Sequence, residues 1–362
     1  MTRFKKLSTK DKISGSSWTG PTRENYQQLK LSNIIDQRYL NINNLWYALH
    51  STFNTASNHQ VDTDILNEII DKPTIPWPVF SKEEFRTAIS SCNNSSAPGP
   101  DKLLWSYLKI ILKDNECLNT IIYIANACIN LGYWPSHFKI STMVVISKPN
   151  KKSYDSPKSF RPIILLNTVG KLIKKVIGER LQFNTVSNDF IHLSQLGGLK
   201  FKSTTNTGVT LTHTIQAGWV KNLSTSTLAF NITQFFLLLN YQLLSLIMKK
   251  AGFDHHIVSF FTNYLVDRRT NYLWNNFSSH TFCINVGIGQ GSVLSPILSA
   301  LYLSPFIYIL ENHLKTSKFP LPSFLLLMTV FLSLRAIWLT FLIVTFIIAT
   351  IFLQIFLKNL VL

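Results

Sequence analysis

Acidic residues are scarce in this 362-residue chain: 18 Asp and Glu stand against 35 Lys and Arg, a formal charge of +17. After Asp267 the only acid is Glu311. So large a positive excess argues against a cationic partner and points to a polyanion, most simply nucleic acid, through phosphate neutralisation and counterion release. A basic surface kept for solubility or for an anionic membrane would leave the same imbalance. The four cysteines, Cys92, Cys117, Cys128 and Cys283, form no C-x-x-C pair, which argues against a zinc ribbon or disulfide scaffold and fits a reducing compartment. The nine histidines lack metalloprotease spacing such as H-E-x-x-H. No apolar run follows the basic start Met1 to Lys6, so no secretory signal is expected and the location reads as intracellular, cytoplasmic or nuclear.

Composition divides the chain into three parts. Residues 1–80 are polar, with a helical signal from Glu24 to Phe53, and end at Pro73, Pro76 and Pro78, which suit a linker. Residues 81–321 carry mixed helical and strand patterns. From 322 to 362 the chain becomes strongly apolar, and Ala336 to Leu357 is uncharged and long enough to span a bilayer as a helix.

Within the middle part, Ser95 to Asp101 reads as a rigid turn, and Asp101 is expected to cap a helix with Leu103, Leu104, Leu108 and Ile111 on one face. A second helix is expected over Leu118–Leu131, stopped by Gly132. Thr142–Ser147 and Thr227–Ile232 have the β-branched character of strands. Lys171–Leu181 reads as a helix with a basic face, and Pro296–Ile309 as a helix after a glycine turn.

Between His137 and Lys202 stand twelve Lys and Arg and three Asp and Glu. Lys148, Lys151, Lys152, Lys158 and Arg161 crowd the loop after the Val144 strand. Such a strand end can cradle a triphosphate or a template backbone, or be a solvated basic loop; charge alone does not separate the two. Gly289-Gln290-Gly291-Ser292 lacks G-x-G-x-x-G spacing and reads as a turn where a ligand approaches the backbone, not as a dinucleotide loop.

Order along the chain decides more than any one motif. Ser96 to Asp101, Trp134-Pro135, Ile146 to Pro149, Ser159 to Asn167, Glu179-Arg180-Leu181, Gln195 to Gly198, Ala229 to Phe236 and Gly289 to Pro296 follow in series. This series resembles the reverse transcriptases of non-LTR (LINE-like) retrotransposons. The resemblance implies an α+β right-hand polymerase, with fingers and an antiparallel palm sheet backed by helices, and without the thumb. It implies RNA or an RNA–DNA hybrid as partner and no small-molecule cofactor. On matching positions, Lys148 and Arg161 would hold nucleotide phosphates, and Gln290 and Gly291 would form the turn beside template and nucleotide. Phe236 would be the aromatic gate against the 2′-carbon, although an ordinary core phenylalanine fits the residue equally well.

Active relatives hold Mg²⁺ on carboxylates in motif A and in a Phe-Val-Asp-Asp hairpin. Here the motif A position is Asn231, and the stretch at hairpin distance, Ser323 to Val330, has no acid. Met328 and Thr329 stand at the two aspartate positions, so no metal site is expected to remain and no polymerisation is expected. One nucleotide shift accounts for the change. TTT GTT GAT GAC GGT CTT TCT encodes Phe-Val-Asp-Asp-Gly-Leu-Ser; read one base late it gives Leu-Leu-Met-Thr-Val-Phe-Leu, the residues at Leu326 to Leu332. On that reading the apolar tail is an out-of-frame product; on the other it is a membrane helix. A non-catalytic nucleic-acid-binding remnant and a membrane-anchored protein are the alternative functions.

Overall fold

The computed structural model describes residues 42–54, 63, 66–67, 69–150, 156–193, 195–222, 226–231, 235–274, 277–316, 325–330 and 340–346. Of the helical signal from Glu24 to Phe53, only the C-terminal part, α1 (Ile42–Phe53), falls within them. It packs on a four-stranded sheet instead of trailing as a linker. The stacked pair Trp46 and Tyr272 (6.5 Å) and the pair His50 and Phe282 (4.4 Å) tie it down. Tyr272 is fully buried, and its hydroxyl meets His50 Nδ1 at 3.0 Å.

That sheet has the order β2-β1-β4-β5, from β1 (Ile140–Ser147), β2 (Phe160–Leu166), β4 (Arg268–Trp274) and β5 (Phe277–Ile284). The β1–β2 and β4–β5 pairs are antiparallel hairpins, and β4 runs parallel to β1. β1 forms where Met143, Val144 and Val145 follow one another, all buried. A second sheet has the order β3-β7-β6, antiparallel throughout, from β3 (Ser226–Asn231), β6 (Leu325–Val330) and β7 (Thr340–Phe346). The architecture is α+β, with the antiparallel palm sheet that the motif order implies.

Helices supply most of the core. They are α2 (Lys82–Ser90), α3 (Trp105–Ile111), α4 (Asn115–Asn130), α5 (Thr168–Ser187), α6 (Thr204–Val220), α7 (Phe235–Leu238), α8 (Tyr241–Lys250), α9 (His255–Leu265) and α10 (Ser295–Thr316). Phe85, Leu118, Trp134, Leu172, Ile173, Met248, Phe260 and Leu298 are among its buried members. α4 ends where expected, with Gly132 at φ +59. α3 departs from expectation: Trp105, Leu108 and Leu112 are buried while Ile111 is 46% exposed, because Asp101 does not cap it. Asp101 instead accepts from the Thr168 amide at 2.6 Å, at the start of α5. Thr168 Oγ1 donates back to the Leu103 carbonyl at 2.6 Å, and Lys171 Nζ donates to the Ala97 carbonyl at 2.7 Å. Gly99 lies so close to the Leu166 carbonyl that a Cβ would sit 2.1 Å from it. The Ser96–Asp101 turn is thus a clamp on the β2–α5 junction.

A second clamp joins the proline-rich segment to α5. Arg180 donates Nε and Nη2 to Glu84 Oε1 at 2.9 and 2.6 Å, donates Nη1 to the Pro78 carbonyl, and lies 4.2 Å from the Phe80 ring centre. Glu84 also closes the capping box of α2 by accepting from the Ser81 amide at 2.8 Å.

The apolar run Ala336–Leu357, expected as a helix able to span a bilayer, contains β7: residues 340–346 are extended and pair with both β3 and β6. Lateral pairing satisfies the backbone groups that a lone membrane span would satisfy along a helix. The rest of the run lies outside the described residues, as do Phe331 and Leu332. Among the described residues no helix is long and apolar enough to cross a membrane. All four cysteines are free.

Candidate nucleotide and metal site

The phosphate-binding candidates sit at the loop end of the β1–β2 hairpin. Ile146 pairs with Arg161, and Lys148, two residues beyond Ile146, continues the same row with its amide donating to the Ser159 carbonyl at 2.9 Å. Sequence separation of thirteen residues therefore becomes proximity. Lys148 Nζ donates to the Lys158 carbonyl at 2.7 Å. Arg161 is 8% exposed and makes no hydrogen bond or ion pair through its guanidinium among the described residues. Burial lowers its pKa from the ordinary value, a sign that a counter-charge is missing. Lys151 and Lys152 lie outside the described residues.

The glycine turn docks on the outer strand of this hairpin. The Gln290 carbonyl accepts from the Ile164 amide at 2.9 Å. A Cβ on Gly289 would meet only the movable end of the Ile164 side chain, at 2.8 Å, whereas Gly291 holds φ +101, where a larger residue is strained. Ser295 Oγ donates to the Gly289 carbonyl at 2.7 Å and fixes the turn to the start of α10. Gln290 Oε1 is buried without a hydrogen-bond partner. Lys148, Arg161, Gln290 and Gly291 are thus all carried by β1, β2 and the turn sewn to β2.

Phe236 is placed differently. Its ring is 2% exposed within the main core, 5.7 Å from that of Phe235, and its carbonyl accepts from the Ile288 amide at 2.6 Å. Such packing is that of a core residue, leaving almost no ring surface for a sugar.

The palm sheet brings together the positions where metal ligands are expected. Asn231 pairs with Phe341, and Phe341 pairs on its other side with Thr329, so Asn231 and Thr329 share one row across β3, β7 and β6. Two strand spacings separate them, about 10 Å between backbones. Met328 occupies the neighbouring row, opposite Leu342. An amide, a hydroxyl and a thioether carry no negative charge, whereas Mg²⁺ requires anionic oxygen in tight octahedral geometry. The donor set does not fit the metal. Among the described residues, the group of three potential ligands that converges is Asp254, His255 and His256 at the start of α9. There Asp254 Oδ1 accepts from the His256 amide at 2.8 Å, an ordinary helix cap.

Sequence reading missed the inward side of α5. The basic face expected over Lys171–Leu181 is largely buried: Lys174 is 1% exposed, and burial pushes its pKa down to about 7, helped by the Lys171 and Arg268 charges. The signal that could have found it is the apolar setting of Lys174 between Ile173 and Val176 on a helix expected in the core.

Comparison with known proteins follows the same line. A family model described as reverse transcriptase (RNA-dependent DNA polymerase) matches residues 146–326. The probable RNA-directed DNA polymerase from transposon BS of Drosophila melanogaster is 28% identical over 257 residues, covering 70% of this chain and 27% of that protein. The corresponding protein from transposon X-element of the same fly is 26% identical over 254 residues, covering 69% and 27%. The RNA-directed DNA polymerase from mobile element jockey, also of that fly, is 29% identical over 119 residues, covering 32% and 13%. The chain thus spans about a quarter of the length of the first two relatives, 27% in each case. Among solved structures, telomerase from Candida albicans matches with a TM-score of 0.43 and 12% identity over 66% of this chain and 44% of that one.

Proposed function

The chain belongs to the reverse transcriptase (RNA-dependent DNA polymerase) family, in its non-LTR retrotransposon branch, and from that premise we propose that it is a domain of that kind which no longer polymerises. The observation that carries this reading is the row Asn231–Phe341–Thr329, with Met328 beside it, where carboxylates would be required. Two-metal phosphoryl transfer needs anionic ligands that hold both ions over the primer 3′-hydroxyl and neutralise the leaving pyrophosphate. Neutral side chains supply neither.

What the chain keeps is a grip. Lys148 and Arg161 offer a point charge and a planar fork to a phosphate, and the Gln290–Gly291 turn beside them lets a strand approach the backbone. With a net charge of +17, RNA or an RNA–DNA hybrid is the partner this reading favours. The proposed extents are a polar extension over 1–80, fingers and palm over 81–321, and an apolar tail over 322–362.

The end of the family match at residue 326 supports the frameshift origin of the tail, since the out-of-frame reading begins at Leu326. Sequencing the gene across Ser323–Val330 tests it; the absence of Phe-Val-Asp-Asp codons in the adjacent frame would rule it out. The grip is tested by hybrid binding against salt. Affinity should fall steeply with salt in the native chain, and Lys148→Met and Arg161→Met should each lower the slope of log affinity against log salt by about 1. Binding that does not vary with salt would contradict it.

A further inference from the structure

Away from Lys148, Arg161 and the palm row, and on the far side of the glycine turn, the described residues hold a second concentration of positive charge. Lys139, in the turn before β1, is 7% exposed and has neither a hydrogen bond nor an ion pair at its ammonium among the described residues. Arg268 opens β4 and donates Nε to the Leu265 carbonyl at 2.9 Å and Nη2 to the Val286 and Gly287 carbonyls, each at 2.7 Å. Its Nη1 is left without a partner among the described residues. Behind them, Lys174 Nζ has no hydrogen-bond partner and lies 5.9 Å from the Trp134 ring centre and 5.5 Å from that of Tyr264.

A small cleft opens beside these groups. Lys139 and Arg268 line it, together with Tyr264 and Ser292, whose hydroxyls meet at 3.0 Å. Among the described residues no acid lines it; the charge that acts against burial at Lys139 is that of Asp267, an exposed residue next to Arg268 in sequence. Cations withdrawn from water without a counter-ion are costly, and two aromatic faces only partly offset the loss for Lys174. Burial lowers the pKa of Lys139 and brings Arg268 down to about 10. Each cation is thus less comfortable charged than it would be beside an anion.

We propose that this cleft binds a phosphate-sized oxyanion, held by Lys139 Nζ and Arg268 Nη1, with the Ser292 and Tyr264 hydroxyls on its polar wall. The cleft lies at the opposite end of the β1–β2 hairpin from Lys148 and Arg161: Ser141 and Leu166, which pair with each other, line it. The occupant is a free phosphate or a phosphate ester of a nucleic-acid strand.

The test uses the full chain with inorganic phosphate as probe, read by phosphorus NMR line broadening and by melting temperature against chloride at equal ionic strength. Saturable broadening and a raised melting temperature are expected. Lys139→Met should weaken phosphate binding by about tenfold or more. Lys139→Arg should retain it, and both variants are read in the Lys148→Met, Arg161→Met background, so that phosphate held by the hairpin cradle does not contribute. A short RNA–DNA hybrid that displaces the phosphate identifies a backbone phosphate as the occupant; phosphate that stays bound identifies the free ion. Absence of saturable broadening, or binding that persists in folded Lys139→Met, overturns the proposal. Should Lys139→Met fail to fold, the native chain decides: stabilisation by phosphate must be greater at about pH 8 than at about pH 10, where lysine loses its charge, and equal stabilisation overturns it.

Discussion

Single residues here carry structural work that their motif membership hides. Asp101 belongs to a turn that looks like the start of α3, yet its carboxylate caps α5, 67 residues later in sequence. Asp101→Ala should cost about 1–2 kcal/mol in urea denaturation, the usual value of a lost N-terminal cap. Glu84 is held by Arg180 on one side and the Ser81 amide on the other. Burial alone would raise its pKa, but hydrogen bonds from Arg180 and then from the Ser81 amide outweigh it, so the carboxyl titrates below its ordinary 4.5. A depressed carboxylate pKa means stability that is full above about pH 4.5 and lost as pH falls through the folded value. Arg180→Met should remove that acid-side loss and destabilise the neutral protein by about 3–5 kcal/mol, because it strands a half-buried carboxylate. Lys174 works in the opposite sense. Its folded pKa of about 7 lies below the ordinary 10.5, so the unfolded chain binds the extra proton and stability should rise as pH climbs from 7 to 10.5. Lys174→Met should flatten that rise in a series of melting curves; an unchanged rise would show that Lys174 is not its source.

At the scale of elements, periodicity and punctuation were enough to locate α4, β1 and β3 closely, whereas α5 and α10 run on to Ser187 and Thr316, well past the expected ends at Leu181 and Ile309. Gly132 stops α4, and the β-branched runs at Thr142–Ser147 and Thr227–Ile232 lie almost entirely within strands. What sequence could not show was pairing. Nothing local in Arg268 to Trp274 announces a parallel partner in β1, since that contact is made 129 residues away. Nor could local hydropathy separate a membrane helix from β7, because an uncharged run rich in Phe, Ile and Val suits a buried strand as well as a lipid-facing helix. The candidate site was legible in part. Lys148, Arg161 and the glycine turn could be named from their order, but Phe236 could not be separated from 24 other phenylalanines by spacing, and its burial gives it the packing of a core residue. The glycine turn also makes an element-scale prediction. Gly291→Val should strain a backbone held at φ +101 and loosen the turn from β2, lowering hybrid affinity together with melting temperature; loss of neither would mean that the turn tolerates a Cβ.

For the molecule as a whole, the proposed reading is that charge and catalysis have separated. A basic fingers hairpin, a glycine turn and an antiparallel palm sheet persist, while the palm row Asn231–Phe341–Thr329 carries no acid. The central claim is electrostatic, and templated primer extension tests it most directly. Purified chain, supplied with an RNA template, a DNA primer, deoxynucleotides and either Mg²⁺ or Mn²⁺, should add no nucleotide above a reaction without protein. Template-dependent extension that co-purifies with the chain and disappears on adding a chelator would contradict the account.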